Sequence, residues 1–280
     1  MTARNWRSHA LIFLLYLGCS LGLLLPANGF DLSHRVISYQ DADVASFIWY
    51  LSWWPFAITH GMNPFVTHYI WAPSGIHLGW TTSIPGVALI MAPVTAAFGP
   101  IVAYNVVAML APVLSAWTCY LLCYYVTKKI PPAIFGGLIY GFSSYEFRQL
   151  MDHMNLYISF VPPLLVLTYL ALLDGKLSRR GFIASATALL VLQFTIFIEF
   201  FATAVVFGLA IAILARQLES DPEARRKHTR AIRLSLVAIF LSTVILSPLL
   251  IDMFAEGFQS GKLYSQGVYS VDLANLFIPT

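Results

Sequence analysis

The chain has 280 residues, of which 59% are apolar and only 10% charged, and its mean hydropathy is +0.74. Soluble domains carry roughly a quarter charged residues, so an ordinary soluble enzyme is excluded. The net charge of +3 sits in short clusters between apolar runs, which excludes a nucleic-acid footprint.

Repeated apolar runs of helix length predict an all-α, polytopic helical membrane protein, because a spanning backbone must satisfy its own hydrogen bonds. The whole chain, 1–280, reads as one transmembrane domain. Cys19, Cys119 and Cys123 all lie in apolar segments and read as packing residues rather than a disulfide framework or metal site.

The first apolar segment, His9 to Pro26, follows Arg4 and Arg7 and carries no small-x-small cleavage site, so it reads as an uncleaved anchor. Basic residues ahead of it place the N-terminus in the cytoplasm of a multi-pass cell-membrane protein. The region 27–85 is then an external loop with re-entrant or juxtamembrane helices. Its core, Ser38 to Pro85, holds five of the seven tryptophans together with Asp41 and Asp43. Tryptophan collects where a bilayer meets water.

Gly99-Pro100 divides the block from Gly86 to Val126 into a short piece and a long one. One crossing here keeps Lys128, Lys129, Lys176, Arg179 and Arg180 inside; two would reverse that bias. Pro131 to Tyr145 returns outward and delivers Glu146, Arg148, Gln149, Asp152, His153 and Asn155 to the outer face. Leu156 to Leu173 runs inward again.

Gly181 to Ala215 is too long for one crossing and is flanked by basic residues at both ends. It therefore predicts a hairpin with its apex between Gln193 and Glu199. A basic linker, Arg216 to Arg233, and a last span from Leu234 to Ile251 complete about seven spans. This topology gathers Asp41, Asp43, Arg148, Asp152, His153 and Glu199 at one membrane surface, where ionisable groups beside spans mark function. The histidines His60, His68 and His77 lack metal-ligand spacing.

The runs DVASFIWYLSWWPFAITHGMNPF, APSG, TTSIPG, FGPIVAYN, YGFSSYE and DHMNL, taken in order, resemble bacterial GT-C glycosyltransferases. That resemblance implies an integral membrane enzyme moving sugar from a polyprenyl-phosphate donor to a glycan, lipid or protein acceptor, in contact with membrane lipid. By position Asp43 resembles the loop carboxylate that acts as base or helps hold a divalent cation such as Mg or Mn, with Asp41 beside it. Asp152 and His153 resemble the second cluster, and Arg148, Asn155 and Glu199 complete the expected substrate-binding set. TTSIPG lacks the basic residue that relatives place there for the lipid phosphate. Arg148, Arg35 and Lys262 are the cations left for it. GT-C enzymes carry further spans, so the resemblance also expects chain beyond Thr280. The rival readings are a transporter or lipid flippase, and a non-catalytic membrane scaffold.

Overall fold

The computed structural model describes residues 3–38 and 42–256. Asp41, and the tail that carries Lys262, lie outside the described residues. The chain runs through α1 (Ala3–Ala27), α2 (Ala42–Thr59), a two-stranded antiparallel ladder of β1 (Val66–Thr67) and β2 (Ile76–His77), α3 (Pro85–Phe98) and α4 (Pro100–Thr127). It continues through α5 (Ile130–Gly141), α6 (Ser144–Leu150), α7 (Met154–Tyr157), α8 (Val161–Leu173), α9 (Arg179–Ile196), α10 (Ile198–Leu218), α11 (Pro222–Ile245) and α12 (Ser247–Glu256).

Among the described residues, five segments are long and apolar enough to cross a membrane: Arg7–Ala27, Pro100–Thr127, Met154–Leu173, Ile198–Leu218 and Pro222–Ile245. The protein is helical and of membrane type. The expected seven spans would need two more elements, and α5, with 12 residues, rises only about 18 Å.

The bundle is built around α4. Helix α1 lies antiparallel to it: His9 Nδ1 is 2.8 Å from the Tyr120 hydroxyl, and at the opposite end Ser20 donates to the Met109 carbonyl at 2.7 Å. Helix α5 packs back against α4 through small residues. A Cβ at Gly137 would sit 2.5 Å from the Ala116 carbonyl oxygen, and one at Gly141 would sit 2.4 Å from that of Pro112. Such backbone proximity is how apolar helices associate when no water is available to drive them together.

Asn105, fully buried near the start of α4, ties the connector after α1 to the bundle. Its Oδ1 accepts from the Ile37 amide at 2.8 Å, and its Nδ2 donates to the carbonyls of Leu32 at 2.9 Å and Arg35 at 2.7 Å. Replacement by Ala removes all three bonds and strands the buried Ile37 amide, a group worth about 1–3 kcal/mol when left unsatisfied, while the Arg35 carbonyl keeps its bond from Asn28. Asn105→Ala should therefore lower the unfolding temperature and expose residues 28–38 to protease. Unchanged cleavage there would show that other contacts hold the connector.

Helix α2 buries Phe47, Tyr50, Leu51, Trp53, Trp54 and Ala57. Its indoles also staple the loop that follows: Trp53 Nε1 donates to the Pro64 carbonyl and Trp54 Nε1 to that of Ser83, both at 2.9 Å. Trp80 Nε1 reaches the Met253 carbonyl on α12 at 2.8 Å, and His77 pairs with Asp252 at 2.8 Å. The loop is thus clamped by the far end of the described chain.

Helix α3 starts with Gly86 against Thr195, at the end of α9, and finishes where α4 begins. Both its ends lie at the loop end of the bundle, so α3 runs across that end and only α4 passes through. Gly99, with φ 87°, makes the break in a backbone region that other residues avoid. The structure agrees with a single crossing in this block.

Helix α9 ends at Ile196, Phe197 is extended (φ −160°, ψ 115°), and α10 starts at Ile198. The direction of α10 follows from its neighbours. Thr187 on α9 donates to Ala238 on α11, and Phe194 packs with Leu246, so α9 and α11 are parallel. Arg216 near the end of α10 donates to Thr229 near the start of α11 at 2.7 Å, so α10 runs opposite to both. The expected hairpin is present, with its apex at Phe197. The expected basic linker is not: α10 extends to Leu218 and α11 begins at Pro222, capped by Asp221, whose carboxylate accepts from the Ala224 amide. Arg225, Arg226 and Lys227 therefore sit on a helix.

Single cysteines replacing His68 and Glu199 should react with a membrane-impermeant maleimide from one side, and those replacing Ser178 and Glu223 from the other. Reaction of the Glu199 and Ser178 positions from the same side would defeat the antiparallel arrangement.

Candidate functional site

The first turn of α2 and the α6–α7 segment meet at the loop end of the bundle. Asp43 lies in that first turn, where a carboxylate is favoured by the unsatisfied amides of a helix N-terminus. Its Oδ2 is 3.5 Å from His153 Nε2. On the other side of the same ring, His153 Nδ1 is 2.6 Å from Asp152 Oδ1. Asp152 Oδ2 accepts from Arg148 Nη1 at 2.8 Å. Asp43 thus joins a chain with His153, Asp152 and Arg148, which lie more than a hundred positions further on.

The members differ in exposure, and that divides their roles. The Asp152 side chain is 11% exposed and both its oxygens are taken, whereas Asp43 is 58% exposed. Burial works against the charge on Asp152. The hydrogen bond from Arg148 and the charge and hydrogen bond of His153 outweigh it, holding the carboxyl below its usual range. An ionised Asp152 can only accept, so the His153 proton on that side belongs to Nδ1, and Nε2 is turned towards Asp43. A fixed imidazole facing an exposed carboxylate can orient a hydroxyl and take up its proton.

The remaining expected site residues lie elsewhere. Asn155 is buried on α7, its carboxamide oxygen without a hydrogen-bond partner among the described residues. Glu199 is exposed in the first turn of α10 and lines a separate cavity of about 240 Å³ with Trp80, Thr82, Ser83 and Leu249. That cavity borders the same loop: Trp54 lines it from the helix that carries Asp43. The Arg35 guanidinium lies against Gly29.

A divalent cation would need several oxygen donors at one point. Both oxygens of Asp152 are already engaged, and among the described residues no three His, Cys, Asp or Glu side chains are grouped as metal ligands. The described donor set does not fit such an ion.

The sequence places Glu146 with the polar cluster on the outer face and gives it no site role, but the side chain is buried. Ser143-Ser144-Tyr145-Glu146 has the spacing of a capping box, and Ser143 Oγ does accept from the Glu146 amide at 3.2 Å. The carboxyl, however, turns inward, 96% buried, with Oε1 2.6 Å from Ser159 Oγ and Oε2 without a hydrogen-bond partner among the described residues. Burial pushes its pKa up to about 7, against a smaller opposing effect of the Ser159 hydrogen bond. The only advance signal was an acid placed between apolar runs.

This shift has a consequence for stability. A carboxyl raised from 4.5 to about 7 on folding contributes most below the unfolded value, and that contribution is lost as pH rises through about 7. The full shift is worth about 3 kcal/mol. Glu146→Gln should therefore unfold at a higher temperature than the parent at pH 8, with the gap closing as the pH falls towards 4.5. A gap that does not change with pH between those limits would mean the carboxyl is not held neutral.

A family model described as a domain of unknown function, DUF6311, matches residues 10–280. The match takes in nearly the whole chain, and the protein belongs to that family. No curated protein and no solved structure matches it.

Proposed function

We propose that this protein is a membrane glycosyltransferase of GT-C type, moving a sugar from a polyprenyl-phosphate donor to a cell-envelope acceptor at the outer face of the cytoplasmic membrane. In this reading the N-terminus is cytoplasmic, and α5 and α9 join the five long apolar segments as shorter crossings. The observation that carries it is the meeting of Asp43, from the loop after α1, with the His153–Asp152–Arg148 chain from the α6–α7 segment.

The chemistry needs few parts. An acceptor hydroxyl attacks the anomeric carbon, its proton passes to the Asp43 carboxylate, and the bond from that carbon to the phosphate oxygen breaks with the electron pair leaving on the lipid phosphate. Asp43 is the exposed base. His153, held by Asp152, fixes the direction from which the hydroxyl is presented. Arg148, whose Nη1 holds Asp152 and whose side chain is largely exposed, brings a positive charge to the cluster for the leaving phosphate. Grouping the acids at one end of the bundle suits transfer at a membrane surface.

Membranes containing the protein should turn over one or more of a panel of undecaprenyl-phosphate hexoses and pentoses. Asp43→Asn should cut that turnover by about 10²–10⁴-fold, the usual contribution of a general base, with the amount of folded protein unchanged. Retention of more than half the turnover would remove Asp43 from the mechanism. Asp152→Asn should give a smaller loss, because it acts only by positioning His153 and Arg148.

A further inference from the structure

Away from the Asp43 cluster, a cavity of about 600 Å³ opens between α4, α5, α8 and α10. Its walls are mostly apolar, with Ile139, Pro162, Phe200 and Ala204 among them. Glu146, Ser143 and Ser159 supply its polar end. Among the described residues no lysine, arginine or histidine lines it. The Glu146 carboxyl is 96% buried and its Oε2 meets no hydrogen-bond partner among the described residues. An unmet buried acceptor of this kind costs about 1–3 kcal/mol, and a long apolar cavity is a poor place for water to relieve it.

From this arrangement we infer that the cavity is a binding site for a neutral, hydroxyl-bearing amphiphile, its hydroxyl at the end formed by Ser143, Glu146 and Ser159 and its hydrocarbon chain between α5 and α10. A phosphate headgroup finds no positive side chain among the lining residues. An ammonium brings donors only, and would require Glu146 ionised, which burial opposes. A hydroxyl both donates and accepts, and so matches either protonation state of the carboxyl as well as the serine hydroxyls beside it. The order of partners supports this. Ser159 Oγ lies 2.6 Å from Glu146 Oε1 and 3.1 Å from Ser115 Oγ, and the Ser159 carbonyl is taken by the Tyr140 hydroxyl at 2.9 Å. The protein thus fills one oxygen of the carboxyl from within, and the other has no hydrogen-bond partner among the described residues. This inference does not depend on the glycosyltransferase reading, because it uses none of the Asp43, Asp152, His153 or Arg148 side chains.

The test uses the full chain in detergent micelles and three photoreactive C16 probes with the same diazirine chain, ending in a hydroxyl, a primary amine or a phosphate. Cross-linked peptides are mapped by mass spectrometry. The alcohol should label peptides containing Gly136–Glu146 and Phe200–Ala204, well above the other two probes. Ala204→Trp, which fills the cavity without touching Glu146, should abolish that labelling. Glu146→Leu should weaken it about tenfold, as expected for one buried hydrogen bond; should this variant fail to fold, the Ala204→Trp result still decides. Equal labelling by all three probes, stronger labelling by the amine or the phosphate, or labelling that survives Ala204→Trp would each overturn the assignment.

Discussion

The position of the Asp43 cluster rests on one buried carboxamide. Asn105 satisfies an amide and two carbonyls of the connector between α1 and α2, and of the three the Arg35 carbonyl has a second donor, Asn28 Nδ2 at 3.2 Å. A backbone segment that leaves a helix inside an apolar bundle carries unmet polar groups, and each must be answered or paid for in stability. Asn105 answers three at once because an amide side chain both donates and accepts. With the connector so tied, α2 can begin only beside α4, which sets Asp43 against the α6–α7 segment. The tryptophans of α2 then extend the same solution outward, each indole spending its single donor on a carbonyl of the following loop.

Much of the architecture was legible because it follows from length and charge. The hairpin at Phe197 needed neither glycine nor proline in the chain. An apolar run too long to cross once, bounded by basic residues at both ends, has to turn back, and the extended Phe197 is where it does. Gly99 marked the other break openly, and the glycine is used at a φ of 87°. The basic run after Arg216 misled for the opposite reason. Charge density suggested a solvated linker, but Asp221 followed by Pro222 is a helix start, and the capping bond it makes outweighs any charge repulsion along the first turns.

The site was half legible. Asp43, Asp152 and His153 stood out as charges beside apolar runs, and the structure brings them together. Asn105, Glu146 and the His77–Asp252 pair did not stand out, because each depends on a contact between distant positions that no local pattern announces. Asn105 looks like an ordinary polar residue at a helix start. Glu146 looks like a cap. His77 sits in a two-residue strand whose partner lies on the last described helix. Local spacing reports what a residue could do for its own helix; these three do something for another.

The two acids of the α6–α7 region can be understood together. Glu146 and Arg148 are two positions apart on α6, and on a helix that turns them about 200° away from each other. One face of a seven-residue helix therefore looks into the apolar cavity while the other carries the guanidinium that pins Asp152. Neither environment would tolerate the other's residue: an arginine in the cavity would have no carboxylate besides Glu146 to meet, and a neutral acid beside Asp152 would leave that carboxylate without its cation. The helix is also too short to bend between the two faces. The cavity and the exposed cluster are thus supplied from opposite faces of one short helix.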